Sequence, residues 1–346
     1  MKTIKDFNPK DKTILMRVDY NVPMKDGQIT DSLRIRASLP TINYLLENGA
    51  KRIVLISHLG RPEGKENPEF SLSPVAEELQ KLLGQPVDFK PLPQNDEKIE
   101  SNAKIILLEN LRFNPGEETN SPDFIKNIIN ATDVEVFVQD GFAVVHRAHA
   151  STDAVKNFLP VYAGLLLEKE IKNLSKVLKN PEHPVLLIIG GSKVEDKQPL
   201  IDKFTKIADH ILVGGKIAAD GYQSTDNKII VANDFDEDGK KTKLDIGPTS
   251  TAKFAKYIAG AKTIIWNGCL GKVEDPAFAT ASSIIADAIG KNTEATTIIC
   301  GGDTTGFVES YLKDHPDLEY SLISTGGGAA LEFLLGKILP GLKAIE

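Results

Sequence analysis

The sequence predicts an α/β fold with two domains, each built on a parallel sheet flanked by helices. Two observations predict it. The chain of 346 residues is longer than one ordinary hydrophobic core supports. Near-continuous apolar strands alternate with helical periodicity, which is typical of a parallel sheet covered on both faces.

The first half is predicted to contain four buried strands, two helices and a helix that connects the domains. The β-branched and apolar runs at 13–18, 52–57, 105–108 and 134–138 predict the strands. Residues 36–47 have helical spacing, and a second helix runs from Ser73-Pro74 to Leu83, with Gly84 ending it. Residues 165–178 form an amphipathic pattern that predicts the connecting helix.

The second half repeats this alternation with five strands, and each strand runs into glycine. The predicted strands are 185–189, 210–213, 263–266, 297–300 and 321–324. Charged side chains follow the strands of the first half instead. Ligands of open α/β sheets bind at the carboxyl ends of the strands, so we expect an anion-binding cluster in the first half and a phosphate chain beside the glycines of the second.

Composition and charge exclude several classes of protein. A net charge of −7 argues against a nucleic-acid partner or a membrane surface, each of which requires a basic face. No apolar run reaches membrane length, and the N-terminus lacks a signal peptide's apolar region. Two widely separated cysteines form no disulfide framework. We therefore expect a cytoplasmic protein.

Several familiar site patterns are absent or incomplete. The sequence has neither a GxxxxGK[ST] phosphate loop nor a GxGxxG fingerprint. His146 and His149 have metal-ligand spacing but no acidic third ligand nearby. Residues 234–245 match most of a calcium-binding loop, but a strand-like run precedes them and Asp245 replaces the usual Glu, so we expect a solvated acidic loop.

Ten motifs, in order, make the chain similar to the phosphoglycerate kinase family over nearly its whole length. They are RVDYNVP at 17–23, ITDSLRIRASLPTI at 29–42, SHLGRP at 57–62, ENLRF at 109–113, HRAHAS at 146–151, GGSKVEDK at 190–197, DIGP at 245–248, WNG at 266–268, GGDT at 301–304 and STGGGAALE at 324–332. No single motif is sufficient, but the ordered set is specific.

The resemblance implies two Rossmann-like domains joined by a hinge helix, which close on each other. Residues 1–164 would form the phosphoglycerate-binding domain, with the tail 337–346 packing back on it, and residues 165–336 the nucleotide-binding domain. The implied enzyme is a glycolytic phosphotransferase. It moves a phosphoryl group in line between 1,3-bisphosphoglycerate with MgADP and 3-phosphoglycerate with MgATP. Its partners would be these small molecules alone, and we expect a monomer.

The resemblance also implies residue roles in both halves. Asp19 and Asn21 would orient the glycerate, and His58, Arg61, Arg112 and Arg147 would bind the remote phosphate. Arg34 would stabilise the transferring phosphoryl group, together with the amides of Gly327 and Gly328. The implied nucleotide-binding residues are Gly190, Gly191, Lys193, Lys197, Gly214, Gly215, Asn267, Glu274, Gly302, Asp303 and Thr304, with Asp303 as the Mg²⁺ ligand and Lys193 also catalytic.

The chain departs from the family pattern after Gly215. It is shorter there, and Tyr222 stands where the family has a lysine that assists the transferring phosphoryl group. Our hypothesis is that Lys216 supplies the displaced positive charge. The shortening leaves base preference open.

Two alternatives remain at this stage. One is a regulatory homologue that binds phosphoglycerate with reduced or lost turnover. The other is a related kinase that acts on a different acyl-phosphate acid, although a substrate without the remote phosphate would leave four basic side chains unpaired.

Overall fold

The computed structural model describes residues 1–94, 97–343 and 345. The chain divides into two compact units, Met1–Lys169 with Ile338–Glu346 and Glu170–Lys337. The first boundary lies five residues beyond the position expected from the sequence, inside helix α5 (Leu165–Lys179).

Unit 1 is built on a six-stranded parallel sheet. The spatial order is β5-β6-β4-β1-β7-β8. Its strands are β1 (Thr13–Arg17), β4 (Arg52–Ile56), β5 (Val87–Lys90), β6 (Ile105–Leu108), β7 (Val136–Gln139) and β8 (Val161–Ala163), and a small antiparallel pair is formed by β2 (Met24–Lys25) and β3 (Gln28–Ile29). The central strand β1 pairs Ile14 with Ile53 on one side and with Val136 on the other. All five residues of β1 are buried, as a strand covered on both faces requires.

Helices cover the sheet of unit 1. They are α1 (Leu33–Glu47), α2 (Ser73–Leu83), α3 (Pro115–Glu118), α4 (Pro122–Thr132), the first part of α5, and α12 (Pro340–Lys343) near the C-terminus. Helix α1 begins three residues earlier than predicted, so Arg34 lies in its first turn. Gly84 ends α2 in the left-handed conformation, as its position predicts. Strands β5 and β8 were not predicted; they lie at the two edges of the sheet and are short.

The C-terminal segment belongs to unit 1. The amide of Gly341 donates to the carbonyl of Val145 at 2.9 Å, and the amide of Lys2 donates to Ile345 at 3.2 Å. Leu339 is buried. These contacts attach both chain termini to the same unit.

Asp140 anchors the beginning of α5. It follows β7, and its Oδ1 accepts hydrogen bonds from the amides of Leu166 at 3.0 Å and Leu167 at 3.4 Å. A helix leaves its first amides without intrahelical partners, so this carboxyl caps the helix that runs across the unit boundary. Burial raises the pKa of Asp140 to about 7.

This raised pKa predicts a pH-dependent stability. In the unfolded chain Asp140 loses its proton near pH 4, whereas in the folded chain it keeps the proton up to about pH 7. The free energy of unfolding therefore falls as the pH rises from about 4 towards 7. Between pH 5 and 8 we expect the native chain to lose about 3 kcal/mol of unfolding free energy relative to Asp140→Asn. Urea unfolding at several pH values measures this difference. Asp26→Asn, in an exposed turn, is the control, and parallel profiles for the native chain and Asp140→Asn would contradict the prediction.

Unit 2 is also built on a six-stranded parallel sheet. The order is β11-β10-β9-β14-β15-β16. Its strands are β9 (Val185–Ile189), β10 (His210–Val213), β11 (Ile229–Val231), β14 (Thr263–Asn267), β15 (Thr296–Cys300) and β16 (Leu322–Ile323), with an antiparallel pair of β12 (Phe235–Glu237) and β13 (Lys243–Ile246). The helices are the rest of α5, α6 (Val194–Phe204), α7 (Gly215–Ala219), α8 (Pro248–Gly260), α9 (Thr280–Lys291), α10 (Gly302–Asp314) and α11 (Gly328–Leu334). Trp266 and Phe254 are fully buried in its core.

The acidic residues at 234–245 satisfy backbone groups. Asp234 accepts from the amides of Thr249 and Ser250 at 2.8 Å in the first turn of α8. Asp245 accepts from the amide of Ala281 at 2.9 Å in the first turn of α9 and is buried. The match to a calcium-binding loop is thus explained by helix capping, a common use of Asp.

None of the helices in the described part of the chain has the length and apolarity that a membrane span needs.

Candidate functional site

Charged side chains collect where the strands of unit 1 end. Asp19 and Asn21 follow β1, His58 follows β4, Arg112 follows β6 and Arg147 follows β7. Because these strands are parallel neighbours, their carboxyl ends form one edge of the sheet. We call His58, Arg34, Arg112 and Arg147 the basic cluster.

Asp19 and Asn21 organise the first part of this edge. Asp19 is buried and forms an ion pair with the half-buried Arg34, which α1 supplies. The side-chain oxygen of Asn21 accepts from the amide of Gly60 at 2.9 Å, which fixes the loop after β4. In the described loop after β1, residues 18–23, Asp19 carries the only negative charge, and Arg34 lies beside it.

His58 is a buried, neutral member of the basic cluster. Its Nδ1 lies 3.1 Å from Nη2 of Arg17. Burial, followed by the charges of Arg17, Arg112, Arg34 and Arg147, holds the pKa of His58 well below its usual value. The ring can therefore donate a hydrogen bond at neutral pH without carrying a charge.

The three arginines predicted to bind the remote phosphate have different surroundings. Arg112 is buried, donates to the carbonyl of Gly60 at 2.7 Å, and has its Nε 3.0 Å from Glu118 Oε1 without hydrogen-bond alignment. Arg147 is half-buried, with Nε 3.3 Å from Nε2 of His146. Arg61 is exposed and, among the described residues, has neither a hydrogen bond nor an ion pair. The electrostatic interactions of His58 join it to Arg34, Arg112 and Arg147.

Sequence reasoning assigned no role to the layer beneath the basic cluster. Arg17, the last residue of β1, is buried and donates from Nε to Ser151 Oγ at 2.9 Å. Ser151 donates in turn to the buried Glu117 at 2.6 Å. The sequence did contain a signal for this layer. Arg17 ends a strand that is otherwise apolar apart from Thr13, and a charge buried there requires a partner.

Unit 2 contains a pocket of about 470 Å³ at the carboxyl edge of its sheet. Its lining includes eight of the predicted nucleotide-binding or catalytic residues: Gly191, Lys193, Lys197, Lys216, Glu274, Gly302, Asp303 and Thr304. Lys243, Leu244, Lys272 and Val273 also line it and were not predicted. The amide of Lys272 donates to the carbonyl of Leu244 at 2.8 Å, which joins β13 to the loop after β14.

Asp303 and the lysines set the charge of this pocket. Asp303 is exposed in the first turn of α10. Lys197 forms a hydrogen bond to the side-chain oxygen of Asn267, and burial lowers its pKa. Lys193 immediately precedes α6 and is exposed. Cations together with helix starts favour a phosphate chain, and the exposed carboxylate is available to a divalent cation.

Four other residues predicted for the nucleotide site do not line the pocket. Gly190 and Gly214 come directly after β9 and β10, Gly215 begins α7, and Asn267 ends β14. A Cβ on Gly215 would lie 2.8 Å from the carbonyl oxygen of Cys269 and 2.8 Å from the amide nitrogen of Gly191. Gly327 and Gly328 are at the start of α11, where Gly327 has φ 49°.

Lys216 lies in the short helix α7, and Tyr222 follows the end of that helix. The Nζ of Lys216 lies 2.7 Å from Asp220, one turn along, and the pair is exposed. Tyr222 is half-buried, and its amide donates to the carbonyl of Ile217 at 3.2 Å. Lys216 therefore borders the pocket but is paired with a carboxylate.

Close backbone packing between Gly268 and Gly190 predicts a large loss of stability on substitution. Gly268 has φ 106°, and its Cβ would overlap the backbone of Gly190. We expect Gly268→Ala to lower the free energy of unfolding by about 3–5 kcal/mol. Thermal or urea unfolding measures the loss. Gly239→Ala is the control because nothing lies near its Cβ position; equal stability of the two variants would contradict the prediction.

Comparisons with known proteins match the chain from end to end. The phosphoglycerate kinase family model matches residues 4–238 and 219–337. The chain belongs to the phosphoglycerate kinase family. A phosphoglycerate kinase of Thermosipho africanus is 42% identical over 99% of this chain and 97% of its own length, and one of Moorella thermoacetica is 40% identical over 99% and 98%.

Solved structures of the family share the fold. The phosphoglycerate kinase of Coxiella burnetii has a TM-score of 0.81 at 35% identity and covers 99% of this chain and 98% of its own. That of Pyrococcus horikoshii has a TM-score of 0.87 at 28% identity over 100% and 98%. The predictions of an α/β fold with two parallel sheets, and of a phosphotransferase of this family, are confirmed.

The family model matches in two segments that overlap at residues 219–238. The alignment with the Thermosipho relative extends over 398 positions, against 346 residues in this chain, so that family member is longer. The overlap lies in the region where the sequence predicts the shortening, around Tyr222.

Proposed function

We propose that this chain catalyses reversible phosphoryl transfer between 1,3-bisphosphoglycerate with MgADP and 3-phosphoglycerate with MgATP. The observation that carries the proposal is the basic cluster, in which a neutral buried histidine and three arginines meet at one sheet edge. His58, Arg112 and Arg147 of this cluster suit a phosphate that bears two charges, because guanidinium groups bind its oxygens in pairs.

We assign the phosphoglycerate to unit 1. His58, Arg112 and Arg147, with Arg61 from the exposed loop, bind its remote phosphate, while Asp19 and Asn21 orient the glycerate. Arg34 stands next to the reacting carboxyl end. A substrate without the remote phosphate would leave these donors unpaired, which disfavours an acid of another kind.

We assign the nucleotide to unit 2. Lys193 and Lys197 contact its phosphates, and Gly190, Gly191, Gly214, Gly215, Asn267, Gly302 and Thr304 form the surrounding turns. Glu274 accepts from the ribose hydroxyls. Leu244 and Val273 supply apolar surface for the base, as their place in the pocket lining supports.

The residues present fit a magnesium ion that arrives with the nucleotide. No group of three or more His, Cys, Asp or Glu side chains that could hold a metal occurs within the described residues. Mg²⁺ commonly uses one or two carboxylates together with phosphate oxygens, so Asp303 alone is an adequate protein ligand. When bound, the ion would neutralise charge on the phosphates.

The chemical step needs alignment and charge stabilisation, with no protein nucleophile. Arg34 and the amides of Gly327 and Gly328 stabilise the charge on the transferring group. Cys269 and Cys300 are free and buried, and burial raises their pKa values to about 12 and about 11, so neither thiol is activated. We further propose that the enzyme is cytoplasmic, which its free cysteines support, and that it acts as a monomer.

Calorimetric titration of two variants tests the assignment of one ligand to each unit. Arg147→Met should weaken 3-phosphoglycerate binding by about tenfold or more and leave MgADP binding unchanged. Lys193→Met should have the reverse effect. Neither side chain supports the fold through a buried ion pair. Loss of both ligands in one variant, or of neither in both, would overturn the assignment.

We predict that Lys216 contributes the positive charge for which the family uses a lysine at position 222. Its release from Asp220 is required first, since the two are paired. Lys216→Ala should lower kcat by about tenfold with little change in either KM, the expected loss of one charge-assisted hydrogen bond. Asp220→Asn, which removes the partner but keeps the lysine, is the matched control. Full turnover in Lys216→Ala would contradict the hypothesis.

A further inference from the structure

Arg17 is enclosed beneath the basic cluster, and its donors are directed to specific acceptors. Only 1% of the residue is exposed. Nε donates to Ser151 Oγ at 2.9 Å, and Nη1 donates to the carbonyl of Val18 at 2.5 Å. Nη2 lies 3.1 Å from Nδ1 of His58. An arginine this buried does not reach a ligand itself, so any effect on ligands must pass through what it touches.

The contact with His58 determines which ring nitrogen carries the proton. A guanidinium group has only donors and does not lose its proton in proteins, so Nδ1 of His58 must accept. A histidine that accepts at Nδ1 is neutral and has its proton on Nε2. The opposite tautomer, or the doubly protonated ring, would place two N–H groups against each other.

We propose that Arg17 is a positioning residue that holds His58 as the neutral Nε2–H tautomer, with that N–H as a donor for the remote phosphate of the substrate. The inference rests on the proposed function for the ligand's identity, but the tautomer itself is a property of the free protein. His58 then contributes direction to phosphate binding, and the arginines contribute charge.

Glu117 and Ser151 complete the arrangement by balancing the buried charge. Glu117 is fully buried; its Oε1 accepts from Ser151 Oγ at 2.6 Å and its Oε2 from the amide of Ser151 at 3.1 Å. Although burial opposes it, hydrogen bonding from His149 and Ser151 and the charge of Arg17 lower the pKa of Glu117, so it stays ionised. A continuous path, Glu117–Ser151–Arg17–His58, thus runs beneath the cluster.

The charges facing His58 from the surrounding elements all oppose its protonation. Arg17 comes from β1, Arg34 from α1, Arg112 from the turn after β6, and Arg147 from the loop after β7. The negative groups nearby are already engaged, Asp19 with Arg34, Glu118 with Arg112 and Glu117 with Ser151. We therefore expect His58 to make no contribution to the pH dependence of phosphoglycerate binding between pH 5.5 and 8.

Nitrogen-15 NMR of the histidine rings in the native chain tests the tautomer without any substitution. The six histidines are assigned by single His→Gln variants. We expect His58 to show an unprotonated Nδ1 and a protonated Nε2, with constant shifts from pH 5.5 to 8. A titration near the ordinary histidine pKa, or a proton on Nδ1, would overturn the proposal.

Two substitutions test the path to His58. Ser151→Ala and Glu117→Gln should each raise the KM for 3-phosphoglycerate by about tenfold with kcat nearly unchanged, as expected when one charge-assisted bond that binds substrate and transition state equally is weakened. Each should also raise the population of the Nδ1–H tautomer of His58, which the nitrogen-15 shifts report, because Arg17 is then held less firmly against Nδ1. Glu135→Gln, at a surface carboxylate paired with Lys12, is the control.

These outcomes separate this inference from the proposed function. If the path had only a structural role, the two substitutions would lower the melting temperature and leave the His58 spectrum unchanged. That result would overturn the inference. If the native chain has the expected tautomer but fails to phosphorylate 3-phosphoglycerate, the proposed function is wrong and the assignment of the tautomer stands. If a variant does not fold, the spectrum of the native chain still decides.

Discussion

Arg34→Met should lower kcat and kcat/KM for phosphoryl transfer by about a thousandfold, the lower range observed when an arginine that stabilises a transferring phosphoryl group is removed. The reason is its position. Arg34 lies in the first turn of α1, half-buried, where its pairing with the buried Asp19 holds the guanidinium group in place. A side chain fixed beforehand loses little entropy when charge develops on the substrate.

Arg36→Met is the matched control for this prediction. Arg36 lies two residues further along α1, is exposed, and donates to Ser32 Oγ at 2.6 Å. The Arg36→Met variant should keep full activity. Calorimetry should show that the Arg34→Met variant still binds MgADP. Turnover of Arg34→Met within about threefold of the native chain would contradict the role proposed for Arg34, since losses of that size fall below one hydrogen bond to a charged group.

Asp303→Asn should have the second largest effect. Removal of the carboxylate should lower kcat at fixed Mg²⁺ by about a hundredfold, as for loss of one group that stabilises charge in the reaction. The Mg²⁺ concentration for half-maximal rate should rise, because an amide oxygen is a weaker ligand than a carboxylate. Asp303 is exposed at the start of α10, so the variant should fold normally.

Steady-state rates over a range of Mg²⁺ concentrations measure both effects. Asp314→Asn, at the other end of α10, is the control for a changed charge on the same helix. If the Mg²⁺ dependence of Asp303→Asn matched that of the native chain, Asp303 would not be the metal ligand.

The strands that the sequence predicted lie inside their sheets and are buried on both faces, except β16, which is an edge strand. β1 and β9 are wholly apolar apart from Thr13 and Arg17, and they lie in the middle of their sheets. The strands of the two large sheets that it missed, β5, β8 and β11, all lie at sheet edges, where one side is open and the residues need not be apolar. The short antiparallel pairs were missed as well. Position in the sheet, which is a tertiary property, therefore decided much of what the pattern could reveal.

The candidate site divides in a similar way. Side chains directly after strands were predictable, because parallel strands bring their carboxyl ends together. How deeply each of these side chains is buried was not predictable, since Arg61 and Arg112 occur in similar motifs but Arg61 is exposed and Arg112 is buried. Arg17 donates to Ser151, which donates to Glu117, and no local pattern connects either of these residues to β1.

The sequence predicted where the chain is shortened, but it did not predict the side-chain contacts in that region. The pairing of Lys216 with Asp220 was not predicted, although the two are four residues apart, the spacing at which side chains on a helix meet. That Lys243 and Lys272 also line the pocket follows from the packing of β13 against the loop after β14.

The coupled assay with MgATP and 3-phosphoglycerate tests the central claim most directly. We predict steady turnover of about 1–100 per second or faster that requires both substrates and Mg²⁺, and that runs in reverse with 1,3-bisphosphoglycerate and MgADP. If calorimetry showed that both ligands bind while the assay showed no turnover, the chain would be a phosphoglycerate-binding regulatory homologue, and the proposed activity would be wrong.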